Sequence, residues 1–139
     1  MTDPRRLFVD AMNVIGSRPD GWWRDRDGAV RRLVRALAPL AAADGVEITV
    51  VVDGRPQPGL PEGAHDGVEV VYARRRGRDA ADDRIVELIA SGRRADEVVT
   101  ADRELRERVG ALGVDVSGPG ALLARLDGLE GRRAGAGDD

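Results

Sequence analysis

Apolar residues fall along this chain in two rhythms. Five short runs are almost continuously apolar, at residues 7–12, 46–52, 68–72, 97–100 and 114–116. At about 28–42, 80–90, 103–112 and 120–126, apolar positions instead return every three or four residues. The first rhythm predicts strands and the second predicts amphipathic helices. "ITVVV" does not alternate, as expected of a strand buried on both faces of a parallel sheet. The pattern as a whole predicts an α/β fold, a three-layer α/β/α sandwich around a mainly parallel five-stranded sheet.

Residues 53–66, "DGRPQPGLPEGAHD", are dense in proline and glycine and predict a long loop. With no helical pattern there, the second and third strands need no standard crossover and become neighbours at one edge. The resulting strand order is 3-2-1-4-5, reversing direction between strands 1 and 4. Residues 128–139 lack periodicity and predict a disordered C-terminal tail. That leaves 1–127 as the folded domain.

Composition then narrows the chemistry. At 139 residues and 42% hydrophobic, the chain can build one core unaided. It has no cysteine, which excludes disulfides, thiolate zinc sites and cysteine nucleophiles. All 22 basic residues are arginine, so chemistry that requires a lysine is excluded too. A net charge of −3 argues against a generally basic coat, but Arg74, Arg75, Arg76 and Arg78 form a local cluster that could follow a polyanion. The first residues are too charged for a signal peptide, and no segment approaches the roughly 20 apolar residues of a membrane span. A soluble cytoplasmic protein is expected, with no membrane partner. Apolar faces on an edge strand would allow a homodimer.

The aspartates change the picture most. Asp10 lies inside "LFVDAMNVIG", where burying an unpaired carboxylate costs several kcal/mol or raises its pKa. Asp53 ends "ITVVVDG", and Asp102 follows the fourth apolar run. Carboxyl ends of parallel strands share one edge, and sites form there beside the reversal point. With strands ~4.8 Å apart, these three acids fall within about 10 Å of one another. On a helical wheel Asp82 lies at the edge of the arc of Ala81, Ile85, Leu88 and Ile89, with Asp79 and Asp83 on its flank. Carboxylates this close repel unless a cation joins them, and an oxygen-only set suits Mg²⁺ or Mn²⁺. Such clusters activate water and stabilise the departing oxygen in phosphodiester cleavage.

Each residue also has a plainer reading. Asp102 and Asp79 can cap the helices they precede, and Asp53 before glycine can start a turn. Asn13 is either a turn residue or a polar group that orients Asp10. Thr100 either binds water or phosphate or is simply a buried threonine at a strand end. Trp22 and Trp23 can stack on bases or anchor a loop. The arginine run is a phosphate track or a solvated loop. A single histidine, His65, in the flexible loop makes a Ser-His-Asp triad improbable.

In order and spacing, "VDAMNVIG", "VVVDG", "ADDRIVELI" and "VTADRELRE" resemble the NYN domain of the PIN-like nuclease superfamily, in particular its YacP-like branch. The resemblance spans about residues 7–126. It implies a three-layer, Rossmann-like PIN fold and a metal-dependent endoribonuclease, with RNA as the substrate. Asp10, Asp82 and Asp102 would be the core metal-binding acids and Asn13 their companion. Asp53, Asp79 and Asp83 fall where similar proteins carry further acidic or polar residues. The family's E-x-A-D reads here as Asp79–Ala80–Ala81–Asp82. The alternative is a non-catalytic module that binds RNA or a ribosomal surface. A phosphoacceptor domain would want a lysine, and a haloacid-type phosphatase would want Asp-x-Asp where this chain has Asp10–Ala11–Met12.

Overall fold

The computed structural model describes residues 4–137 apart from Arg76 and Arg78. Its elements are β1 (Arg6–Asp10), α1 (Ala11–Gly16), a 3₁₀ turn (Trp22–Arg24), α2 (Arg26–Asp44), β2 (Glu47–Val52) and β3 (Gly63–His65). Then come β4 (Val68–Tyr72), α3 (Ala80–Ala90), β5 (Glu97–Val99), α4 (Arg103–Gly110), β6 (Asp115–Ser117) and α5 (Pro119–Gly137). The sheet runs β3-β4-β2-β1-β5-β6, parallel except for β3. The five predicted strands stand in the predicted order, and the correction is a sixth strand at the edge.

That extra strand forms a hairpin with β4 through Asp66–Gly67, whose φ angles of 51° and 85° are both left-handed. This is the geometry of a two-residue primed turn, which aspartate and glycine tolerate best. The first strand is also shorter than expected. It stops at Asp10 because the chain turns straight into α1.

Alternate residues of the central strands feed two cores, which is why those strands carry no polar face. Val9, Val50 and Val52 join α1, α2 and α5 on one side. Phe8, Val51 and Val98 join α3 and α4 on the other. The end of the chain differs from expectation, because α5 continues to Gly137 where a tail was predicted. Leu122, Leu126 and Leu129 recur at helical spacing and pack on the first core, so the helical face runs past residue 127.

Neither edge strand presents the apolar face suggested for a dimer. The large exposed apolar side chains among the described residues are Trp23 and Leu112. No described helix is long and apolar enough to cross a membrane.

Candidate active site

The carboxyl edge of the sheet is also where three helices begin. Asp10 precedes α1, Asp82 lies in the first turn of α3, and Asp102 precedes α4. Amide groups at helix starts favour negative charge, so the folding pattern draws acids to this edge.

A loop-to-strand clamp sets their positions. The Thr100 hydroxyl donates to Asp10 Oδ2 at 3.0 Å and accepts from the Asp102 N–H at 3.1 Å. Asn13 Oδ1 accepts from the Ala101 N–H at 2.6 Å. The segment between β5 and α4 is therefore tied to the junction of β1 and α1. Thr100 has no accessible surface, so the phosphate contact considered for it is replaced by a positioning role.

Among the described residues, Asp10 and Asp82 are the buried acids, 5% and 4% exposed. Burial pushes Asp10 up to about 6, against the Thr100 hydroxyl and the Asn13 backbone N–H, with the charges of Asp102 and Asp53 adding to the rise. Burial likewise pushes Asp82 up to about 7; Asp10, Asp102 and Asp79 add to it and Arg108 opposes it. Neither acid has an ion-pair partner among the described residues. Asp102 thus acts on both buried acids, while Asp53 acts on Asp10 and Asp79 on Asp82.

The remaining acids divide. Asp102 caps α4, its Oδ1 accepting from the Leu105 N–H at 2.9 Å. Asp79 occupies the cap position of α3 without a side-chain cap bond. It opens instead onto a cleft of about 430 Å³ shared with Asp102, Arg103, Glu104 and Glu107. Asp53 is ion-paired with Arg26 at the start of α2. Asp83 is held by Arg108 at 2.9 Å and by Arg75, and both cations keep it below the usual carboxylate range. Its charge is taken up by those partners.

The proposed phosphate track is altered as well. Arg74 pairs with Glu62 at 2.5 Å and Arg75 pairs with Asp83, while Arg76 and Arg78 lie outside the described residues. Trp22 is half-buried against the core beside Gly16, whereas Trp23 is exposed. Sequence reasoning missed Arg26 and Arg108, whose roles depend on partners 27 and 25 residues away. The cluster "RDRDGAVRRLVR" was the one available signal for Arg26.

Among the described residues, no three carboxylate or imidazole groups converge closely enough to enclose an ion by themselves. The donor set nonetheless fits a hard divalent cation. It is all oxygen, with Asp10 and Asp82 buried and without an ion-pair partner among the described residues, and Mg²⁺ commonly takes one or two carboxylates and completes its shell with water and substrate phosphate. A more apolar cavity of about 450 Å³ between α1, α2 and α5 contains none of these acids.

The comparisons with known proteins agree on this architecture. The family model of the YacP-like NYN domain matches residues 7–134. Rae1 (YacP) from Bacillus subtilis is similar with a TM-score of 0.70 and 23% identity, over 96% of this chain and 78% of that one. Its W164L mutant gives 0.72 and 23%, over 92% and 78%. At that identity the likeness concerns the fold. No curated protein sequence matches.

Proposed function

The chain belongs to the YacP-like NYN domain family, and from that premise we propose that it is a cytoplasmic, metal-dependent endoribonuclease. The observation that carries the reading is the pair Asp10 and Asp82, buried and without an ion-pair partner among the described residues, at the carboxyl edge with Asp102. A fold retains unpaired buried charge at a cost of several kcal/mol, and it does so where the charge has work to do.

In this reading Asp10, Asp82 and Asp102 hold the cation. Thr100 fixes the Asp10 carboxylate, and Asn13 holds the backbone that carries Asp102. Asp53, tethered by Arg26, and Asp79, open to the cleft, form the rim. When bound, Mg²⁺ or Mn²⁺ would supply positive charge for the attacking water and for the departing oxygen of the phosphodiester. The open cleft at Asp79 and Asp102 leaves room for a phosphate there.

The test is cleavage of an end-labelled single-stranded RNA in Mn²⁺, Mg²⁺ or EDTA, comparing the wild type with Asp10→Asn. Cleavage that needs metal and is lost in the variant supports the reading. Binding without cleavage in every metal would favour a non-catalytic RNA-binding module.

A further inference from the structure

Trp23 is 57% exposed, although tryptophan carries the largest apolar side chain and usually buries it. Its position is not loose. Gly21, with φ 83°, turns the chain into the 3₁₀ turn, and Trp22 docks on the core. The two rings meet edge to face, centroids 5.9 Å apart and planes at 86°. Trp22 therefore acts as a buttress that holds the neighbouring ring out into solvent.

The place of this ring matters more than its exposure. Three residues on, Arg26 reaches Asp53 at the carboxyl edge. That is at most about 11 Å of backbone. Arg24 directly follows Trp23 and Arg55 lies two residues past Asp53, both exposed and both without an ion-pair partner among the described residues. An aromatic face with unpaired guanidinium groups beside it matches the chemistry of unpaired nucleotides, a π-face to stack on and phosphates to hold.

We propose that Trp23 is a stacking platform for a base of a single-stranded RNA, on the Asp53 side of the carboxylate group, with Arg24 and Arg55 contacting the adjoining phosphates. The proposal rests on the nuclease reading and adds a substrate preference to it. A duplex hides its base faces in its own stack, so Trp23 selects strands whose bases are free. Of the two readings the sequence left to both tryptophans, Trp23 takes the stacking role and Trp22 the anchoring one.

The test measures binding of a fluorescein-labelled short single-stranded RNA, and of the same sequence as a duplex, in EDTA so that metal-dependent cleavage is off. The full chain is used as wild type, Trp23→Ala and Trp23→Phe. Trp23→Ala should weaken single-strand binding about tenfold or more, Trp23→Phe should keep most of it, and duplex binding should not change. RNA should quench tryptophan emission in the wild type and not in Trp23→Phe, where only the docked Trp22 remains. Equal single-strand binding by Trp23→Ala overturns the proposal, as does a change in its sedimentation with binding unaltered, which would place Trp23 between copies of the chain. If the wild type cleaves RNA, Asp10→Asn does not, and Trp23→Ala binds normally, only the platform falls. If the wild type neither binds nor cleaves RNA, the nuclease reading falls with it.

Discussion

At the amino end of the sheet, Glu97 accepts from Arg5 at 2.8 Å and from the Ser117 hydroxyl, and Asp96 accepts from the Arg6 N–H at 2.7 Å. Glu69 there pairs with Arg93. At the carboxyl end, Asp10 and Asp82 are buried more deeply and form no ion pair among the described residues. The titration of the acids follows suit. The Arg6 N–H holds Asp96 low, and at Glu97 the upward push of burial is outweighed by Ser117 and Arg5. Asp10 and Asp82 are pushed up instead. With 22 arginines in the chain, positive charge was not scarce. The contrast separates acids that hold the fold from acids that, on the proposed reading, would take a divalent cation.

The strongest way to break this contrast is to neutralise one acid at each end. Asp82→Asn should lower RNA cleavage by roughly 100-fold or more. In EDTA its melting temperature should hold or rise, because a buried unpaired charge has gone. Glu97→Gln should do the reverse, keeping cleavage and lowering the melting temperature by about 3 °C. Thermal melts and initial rates on both variants decide the matter, and a strong loss of cleavage in Glu97→Gln would undo the distinction.

Thr100→Val comes next. It removes the hydroxyl from Asp10 and leaves the Asp102 N–H without its acceptor, so cleavage should fall about tenfold and stability by about 1–2 kcal/mol. Thr100→Ser should recover most of the rate, a rescue that loss of packing alone would not allow.

Acidity offers a smaller, two-sided check. Asp10 and Asp82 keep protons in the folded chain up to about 6 and about 7, while the unfolded chain releases them near the ordinary value of about 4. Between those values the folded state binds more protons, so the stability these groups contribute is lost as the pH rises. In EDTA the melting temperature should be a few degrees higher at pH 5 than at pH 7.5. Mn²⁺ should reverse the trend, since it competes with the same protons. The amino-end acids work the other way. Their contribution is present above about pH 4 and disappears below it.

The smallest effect is expected at the rim. Arg26→Gln frees Asp53 and adds unneutralised charge beside Asp10. Mn²⁺ affinity should tighten by up to about fivefold, the range of a partly exposed ion pair. Calorimetric titration of the variant beside the wild type measures it.

Much of this organisation was legible in the sequence because it is written in local rhythm. Val68–Tyr72 and Ala80–Ala90 form as the pattern predicts, and carboxylates inside apolar runs announced themselves. The missing strand β3 is three residues long with no apolar alternation, and its signal, Asp66–Gly67, was submerged in a proline- and glycine-rich stretch. Helix α1 was hidden because its apolar residues continue those of β1 without a break. The fates of Asp53 and Asp83 could not be read at all, since Arg26, Arg75 and Arg108 find them only after folding. The two tryptophans were equivalent on paper, and tertiary packing alone decided which one docked on the core.

The most direct test of the central claim, that the carboxyl-edge acids hold a divalent cation, is calorimetric titration of Mn²⁺ into the wild type and Asp82→Asn at pH 7.5. Saturable binding with proton release in the wild type, weakened at least about tenfold in the variant, is the result this account requires. Equal binding by the two proteins, or none by the wild type, would contradict it and leave Asp10 and Asp82 as buried acids without an ion.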